Sequence, residues 1–193
     1  METSSLANYP KKGALEGRYL AFLDESGISE RPSVRRTWSP KGKTPVIVST
    51  GSWSIRTVIG VITCTPEGND PKLYLRIFQG AIYKEDVLRF LKELRHHVRT
   101  DLLLIWDRLA AHRAKIVREY ADAHAWIKTE HFPSYAPELN PVEYVWAMAK
   151  NHDLTNVYPE GLENLDRHIR RMKRRLARRI DILKGFLKKS SLF

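Results

Sequence analysis

The sequence predicts one α/β domain in which helices cover a mixed β-sheet. Two observations support this fold class. Apolar runs rich in β-branched and aromatic residues dominate the first half of the chain, whereas stretches with apolar residues three or four positions apart are frequent in the second half. The length of 193 residues and the hydrophobic content of 42% suit a single domain that buries its own core.

Eight elements are predicted in the order β-β-β-α-β-α-β-α. Residues 18–160 form the predicted domain, between a leader or linker remnant at residues 1–17 and a basic segment at residues 161–193. The strands are predicted near residues 18–24, 54–64, 72–78, 102–106 and 125–129, and the helices begin near residues 84, 112 and 141. A turn rich in Pro and Gly joins the second and third strands, so these strands are predicted to pair antiparallel. The fourth strand is apolar throughout, as expected of a central strand buried on both faces.

Three acidic residues are placed in the sequence so that their side chains can lie close together at one edge of the sheet. Asp24 and Asp107 each follow a buried strand, and Glu143 lies one turn into a helix that Asn140 caps and Pro141 begins. In open α/β sheets, sites form beyond the carboxyl ends of the strands. Carboxylates packed together repel one another unless a hard cation neutralises them, so the pattern indicates a site for Mg²⁺ or Mn²⁺. Two such ions would suit phosphoryl transfer.

Each acid also has an ordinary structural explanation. Asp24 and Asp107 suit turns at strand ends, and Asp107 can pair with the adjacent Arg108. Glu143 fits a capping box, in which its side chain accepts a hydrogen bond from the Asn140 backbone amide. Spacing alone leaves these alternatives open.

Two further residues lie close to these acids in the sequence. Glu25 points to the opposite face of the strand from Asp24, so only one of the two serves a given site, and we favour Asp24. His112 follows Asp107 by five residues and can contact a phosphate or the metal shell, although a lone histidine near a helix start is more often structural.

The net charge of +11 is concentrated at the C-terminal end, where residues 161–193 hold 11 Lys or Arg and 3 Asp or Glu. Apolar residues in this segment repeat every three or four positions, which predicts one long amphipathic helix, loosened at Gly185. A cationic surface favours nucleic acid as a partner, ahead of acidic membranes and acidic proteins. The alternative for the basic face is a solvated helix surface. The candidate DNA contacts are Arg35, Arg36, Lys41, Lys43, His112, Arg170, Arg171, Arg174, Arg175 and Arg178.

Other classes of protein are disfavoured by composition. The single Cys64 rules out an internal disulfide framework and a zinc site built from cysteines. No apolar run is long enough to span a bilayer, and the polar N-terminus lacks the apolar core of a signal peptide, so a cytoplasmic protein is expected.

Three stretches resemble the catalytic core of mariner-type transposases, especially their bacterial insertion-sequence branch. They are FLDESG at Asp24, LLLIWDRLAAH at Asp107 and PSYAPELNPVEYVW at Glu143. The 35 residues between the last two acids agree with the spacing in that superfamily. The resemblance covers roughly residues 18–155.

The resemblance implies an RNase H-like fold in which Asp24, Asp107 and Glu143 hold two Mg²⁺ ions. Water then attacks a phosphodiester at the end of the transposon, and the freed 3′ hydroxyl attacks target DNA. Members of the family act as dimers on double-stranded DNA. For a bacterial protein, the resemblance therefore implies a cytoplasmic location, at the nucleoid when the protein is bound to DNA. The apolar stripe of the C-terminal segment offers one surface for pairing with another copy.

Two departures from the family pattern bear on function. Arg108 stands where the family usually has asparagine after the second acid, and about 17 residues precede the first strand, where relatives carry helix-turn-helix domains. The chain is therefore interpreted as a catalytic half whose DNA-recognition half is encoded separately or lost. An RNase H-like nuclease or resolvase, and a non-catalytic DNA-binding remnant, remain the alternative functions.

Overall fold

Five strands form one mixed sheet in the order β3-β2-β1-β4-β5. The structure is a computed structural model that describes residues 8–31, 34–36, 38–44, 46 and 54–193. The strands are β1 (Tyr19–Ser29), β2 (Ile55–Cys64), β3 (Lys72–Gln79), β4 (Leu102–Trp106) and β5 (Ile127–His131). The predicted number, order and approximate position of the strands are confirmed.

The pairing of the strands is antiparallel in the first half of the chain and parallel in the second. β2 pairs antiparallel with β1 and β3, which confirms the predicted hairpin, and β4 pairs parallel with β1 and β5. All five residues of β4 are buried, as the apolar run predicted. β4 therefore lies inside the sheet, between β1 and β5, and its end marks the edge where the three candidate acids lie.

β1 is longer than predicted, because the antiparallel ladder with β2 continues to the pair Ser29↔Ile55. The expected turn after Asp24 is wrong. The parallel ladder with β4 ends earlier, at Phe22↔Ile105. Asp24 thus lies within a strand, at the level where its neighbour β4 stops.

In the described part of the chain, six α-helices cover the two faces of the sheet. They are α1 (Tyr9–Glu16), α2 (Lys84–His97), α3 (Lys115–Asp122), α4 (Pro141–Met148), α5 (Leu162–Ala177) and α6 (Ile180–Lys189). One apolar cluster joins α2 and α3 to the sheet, and a second cluster on the other face holds residues of α1, α4, α5 and α6. The apolar stripe predicted for α2 is buried at Val87, Leu91 and Leu94, so this prediction is confirmed.

Residues 1–17 were predicted to be a leader or linker remnant without regular structure, but the described part of this segment contains the helix α1. Pro10 lies in the first turn of α1, where its missing N–H costs no hydrogen bond, and Gly17 ends the helix with a φ of 63°. The Tyr9 hydroxyl donates to the His131 carbonyl oxygen at 2.7 Å, which fixes α1 to the end of β5. Residues 1–7 lie outside the described range.

The single long C-terminal helix is also corrected. α5 ends at Ala177 and α6 begins at Ile180, so the break falls at Arg178 and Arg179, whereas Gly185 lies inside α6. The predicted apolar stripe is buried within the chain at Leu165, Ile169, Met172, Leu176, Leu183 and Leu187, whereas its remaining residue, Ile180, is 50% exposed. Since the domain covers all but one residue of this stripe, we do not expect it to be a surface for pairing with another copy.

The basic segment before β2 was predicted to be a loop or an edge ribbon. Its described residues, 34–36, 38–44 and 46, contain no strand, which favours the loop. In the described part of the chain, no helix combines the length and the apolar character that crossing a bilayer requires.

Candidate active site

The three predicted acids line one open cavity of about 330 Å³ at the end of β4. Asp107 directly follows β4, and extending the register Phe22↔Ile105 by two residues places it beside Asp24. Glu143 enters from the first turn of α4. The opposite wall is largely apolar and comes from the segment between β5 and α4, including Phe132, Pro133, Tyr135, Ala136 and Pro137.

Asp24 is largely buried and is held by a residue of α4. The indole nitrogen of Trp146 donates to Oδ2 of Asp24 at 2.8 Å. Burial and then the nearby negative charge of Glu143 raise the pKa of Asp24 to about 7, although the Trp146 hydrogen bond acts in the opposite direction. In the absence of a cation, the pair therefore favours one proton on Asp24 near neutral pH.

Glu143 does not complete the capping box that was the alternative explanation for it. Asn140 caps α4, because its Oδ1 accepts from the Val142 amide at 3.1 Å. The Asn140 amide that Glu143 would have bound donates instead to the Pro137 carbonyl oxygen at 3.0 Å. The Nδ2 atom of Asn140 also donates to the Leu23 carbonyl oxygen at 3.2 Å, which fixes the start of α4 beside Asp24. Glu143 remains exposed on the cavity wall.

Asp107 is half exposed, and one of its two oxygens is already occupied. Oδ1 accepts from the Leu109 amide at 2.9 Å and lies 2.7 Å from Nδ1 of His112. The hydrogen bond from His112 lowers the pKa of Asp107 below its usual value. Asp107 is thus ionised at neutral pH, whereas Asp24 is only partly ionised there. In the described part of the chain, Asp107 forms no ion pair with Arg108, contrary to the alternative considered for it, although Arg108 also lines the cavity.

His112 is buried and bridges two carboxylates. Its Nε2 atom lies 2.8 Å from Oε1 of Glu25, and its ring stacks on Trp106 with 4.4 Å between centroids and 8° between planes. Burial lowers the pKa of His112, but the hydrogen bonds to Asp107 and Glu25 outweigh this and raise it to about 9. Both nitrogens therefore donate. With its side chain fully enclosed, His112 is placed differently from a surface contact to DNA, and we do not propose that role for it.

Sequence reasoning missed Glu25 as part of this region. Its placement on the opposite face from Asp24 was correct, but that face holds Trp106 and His112. The Asp-Glu pair at residues 24–25 and the five-residue spacing from Asp107 to His112 were the available signals, and only the fold shows that they meet.

Residues 19–166 match the DDE superfamily endonuclease family, which is more than half of the chain. The chain belongs to this family. No curated protein sequence matches it.

Among solved structures, the chain is similar to the mariner Mos1 paired end complex with Mg, with a TM-score of 0.61 and 16% identity over 95% of this chain and 57% of that chain. The catalytic domain of Mos1 mariner transposase gives a TM-score of 0.56 and 14% identity, over 96% of this chain and 85% of that domain. The Mos1 strand transfer complex gives a TM-score of 0.56 and 14% identity, over 97% of this chain and 58% of that chain. At these identities the likeness shows the fold, and it confirms the predicted RNase H-like class. The chain spans about 58% of the length of the Mos1 transposase chains in the paired end complexes.

The donor set of this DDE endonuclease fits a hard divalent cation. Asp24, Asp107 and Glu143 offer only carboxylate oxygens, and the pKa of Asp24 is raised first by burial and then by the negative charge of Glu143, which a bound cation would neutralise. Among the described residues, however, the set whose ligand atoms all lie within 4.8 Å of one another is Glu25, Asp107 and His112. The two nitrogens of His112 face different carboxylates, so hydrogen bonds explain that tighter set without an ion.

The candidate DNA contacts of the DDE domain lie on two surfaces. Arg36, Lys41 and Lys43 are exposed in the loop before β2, and Arg35 donates to Oδ1 of Asn151 at 2.6 Å. Of the candidate arginines in the C-terminal segment, Arg170, Arg171, Arg174 and Arg175 lie on α5 and Arg178 directly follows it, and all five are exposed. Among these five, Arg175 is paired, with Asp153 at 2.6 Å. The other four meet no carboxylate within 4.0 Å in the described part of the chain.

Proposed function

We propose that this chain is the catalytic domain of a DNA transposase, which cuts phosphodiester bonds at transposon ends and joins the freed 3′ ends to target DNA. One observation carries the proposal. A domain of the DDE endonuclease family brings Asp24, Asp107 and Glu143, from two strands and one helix, to a single open cavity. The likeness to Mos1 structures, including a strand transfer complex, supports transposition over other uses of this fold.

We propose Asp24, Asp107 and Glu143 as the ligands of Mg²⁺ or Mn²⁺, with two ions in the active complex. Bound there, such ions would activate the attacking oxygen and stabilise the leaving oxygen. The chain supplies the geometry for this chemistry. Trp146 holds one oxygen of Asp24, His112 and the Leu109 amide hold one oxygen of Asp107, and Asn140 fixes the helix that carries Glu143.

The proposed partner is double-stranded DNA. Unpaired arginines of α5 and the lysines of the loop before β2 suit contacts to phosphates, which supply affinity and position but little sequence information. Selection of a transposon end is then the task of a separate DNA-recognition half, and a homodimer on two ends is the proposed working form. Dimer contacts have to come from surfaces other than the buried stripe of α5 and α6.

The experiment that tests the catalytic proposal is metal-dependent nicking of supercoiled plasmid. Wild type, Asp107→Ala and Glu143→Ala are compared with Glu138→Ala, which removes an exposed acid just before α4. The expected result is nicking by wild type and by Glu138→Ala in Mg²⁺ or Mn²⁺, none in EDTA, and loss of at least about 100-fold in the two cavity variants. Equal nicking by all four proteins, or by none, contradicts the proposal.

A strand-transfer assay separates transposition from simple hydrolysis. Labelled DNA bearing transposon ends is incubated with target plasmid, the chain and its DNA-recognition half. Joined products are expected. Cleavage without joining would instead support an RNase H-like nuclease or resolvase.

A further inference from the structure

Glu25 and His112 form a polar bridge that the three predicted acids do not explain. His112 is fully enclosed, and Glu25 has a side chain that is 12% exposed. Burying two ionisable groups costs free energy unless their hydrogen bonds are satisfied, and here each ring nitrogen of His112 meets one carboxylate. The bridge thus runs from Glu25 through His112 to Asp107.

The bridge lies where backbone pairing between β1 and β4 ends. The parallel ladder between these strands stops at Phe22↔Ile105, two residues before Asp24 and Asp107. Beyond that pair, hydrogen bonds within the sheet no longer hold the two acids side by side. The bridge spans this gap, because Glu25 is the sequence neighbour of Asp24 and the other end of the bridge is Asp107 itself.

The bridge also fixes the orientation of the Asp107 carboxylate. Its Oδ1 atom takes two donors, the Leu109 amide at 2.9 Å and Nδ1 of His112 at 2.7 Å. A carboxylate with one oxygen held by two donors cannot rotate freely, so its other oxygen keeps one direction. His112 in turn is held flat against Trp106, which fixes the plane of the donor ring.

We propose that His112 and Glu25 are positioning residues of the DDE site, which set the orientation of Asp107 and its distance from Asp24 for binding of a divalent cation. This inference rests on the proposed function. His112 acts through Asp107 and is not itself a ligand, because both of its nitrogens are already committed. Groups that hold a metal ligand in this way typically change metal affinity by about 10- to 100-fold when removed.

Two substitutions at His112 separate positioning from packing. His112→Phe keeps a flat ring against Trp106 but has no donor, whereas His112→Asn loses the stacked ring but keeps an amide that can donate to Asp107. If the residue positions Asp107, His112→Phe weakens cation binding by about 10- to 100-fold, and His112→Asn weakens it less. If the residue only fills space, the order is reversed, and that result overturns the proposal.

Glu25 gives a second, independent pair of variants. Glu25→Gln keeps an oxygen that accepts from His112, whereas Glu25→Ala removes the acceptor. The Ala variant is expected to lose more cation affinity than the Gln variant. If both variants bind the cation as tightly as wild type does, the role of Glu25 is overturned. Because this pair of variants does not involve His112, the test remains decisive even if His112→Phe fails to fold.

Cation binding is measured without DNA, by titrating the protein with Mn²⁺ and following the electron paramagnetic resonance signal of the free ion. Each variant is first compared with wild type by circular dichroism and urea unfolding. Asp107→Ala is included to identify the site. If Asp107→Ala binds Mn²⁺ as wild type does, the metal site of the proposed function is wrong. If Asp107→Ala loses binding while the His112 and Glu25 variants keep it, the proposed function stands and the positioning role is wrong.

Discussion

Trp146 donates its indole N–H to the Asp24 carboxylate at 2.8 Å, from the same helix that presents Glu143. Asn140, at the start of that helix, donates to the backbone of Leu23, next to Asp24. Two side-chain hydrogen bonds therefore join α4 to β1, one from Asn140 at the start of the helix and one from Trp146 in its second turn. These two bonds fix the first and third acids of the site relative to each other.

Replacing Trp146 with Phe tests this connection. The variant keeps an aromatic ring but loses the donor, so one oxygen of Asp24 is freed and its pKa rises further, because the lost hydrogen bond had lowered it. We expect the Mg²⁺ concentration for half-maximal plasmid nicking to rise by about 10-fold or more. Nicking rates measured over a range of Mg²⁺ concentrations at pH 8 provide the check.

Trp126→Phe is the matched control for this substitution. Trp126 is also buried, but its indole nitrogen has no hydrogen-bond partner in the described part of the chain. The Mg²⁺ dependence of this control should equal that of wild type. If the two variants behave alike, the bond from Trp146 to Asp24 does not matter for cation binding.

The raised pKa of Asp24 predicts how stability changes with pH. The folded state keeps a proton on Asp24 up to about pH 7, whereas the unfolded chain releases it near the ordinary pKa of about 4. The folded state therefore binds more protons in this window, and the contribution of Asp24 to the free energy of unfolding falls as pH rises from about 4 to 7, then stays constant. Cation affinity should rise over the same window, because the ion has to displace this proton.

Asp24→Asn isolates this contribution. The free energy of unfolding of both proteins is measured in urea with EDTA at several pH values, and the difference between them is plotted. His112 has its own window, in which stability is lost between about pH 6.5 and 9, but it is present in both proteins. We expect Asp24→Asn to gain stability relative to wild type as pH rises to 7. A difference that does not change with pH would show that Asp24 has its ordinary pKa in the folded state.

Local patterns in the sequence were sufficient to predict the sheet and the three acids. The continuous apolar run of β4 and the helix signal at Asn140 and Pro141 are both short-range features, and each predicts its own element. The position of Asp24 inside β1 was not predictable in this way. Whether a strand stops at a turn or continues depends on pairing with β2, which lies more than 30 residues further along the chain.

The errors at the two ends of the chain have a similar cause. Pro10 was expected to interrupt regular structure, although proline in the first turn is compatible with a helix. Burial of Tyr9 and its hydrogen bond to the end of β5 stabilise this short helix. In the C-terminal segment, the apolar period continued through Ile180, but the helix breaks at Arg178 and Arg179, and Ile180 is exposed. Tertiary contacts decided both outcomes, and no local pattern specifies them.

Gly60 provides the space that Trp146 occupies. Gly60 is paired with Asp24 in the sheet, and a Cβ atom there would lie 2.8 Å from the Trp146 ring and 2.8 Å from Leu75. Gly60→Ala should therefore lower the free energy of unfolding by about 1–3 kcal/mol and displace the indole from Asp24, with loss of nicking activity. Urea unfolding and plasmid nicking of the same preparation are the measurements.

Gly185→Ala is the control, because its Cβ would meet nothing within 4 Å and it lies inside α6. Alanine is favoured over glycine in a helix, so this variant should gain about 1 kcal/mol without a change in nicking. If Gly60→Ala is as stable and as active as wild type, the close packing of Trp146 over the sheet does not constrain the site.

The unpaired arginines of α5 predict a measurable salt dependence of DNA binding. Arg171 and Arg174 are exposed and meet no carboxylate in the described part of the chain, so both are free to contact phosphates. In Arg171→Ala/Arg174→Ala, affinity for duplex DNA should fall for every sequence tested. The slope of log affinity against log salt should decrease by about 2 in magnitude, since each lost phosphate contact removes about one unit.

Arg99→Ala/Arg118→Ala removes the same charge from exposed positions associated with the α2 and α3 face of the sheet, and should change the slope less. Fluorescence anisotropy at four salt concentrations distinguishes the outcomes: equal slopes for the two double variants would mean that net charge alone, and no defined surface of α5, attracts the DNA.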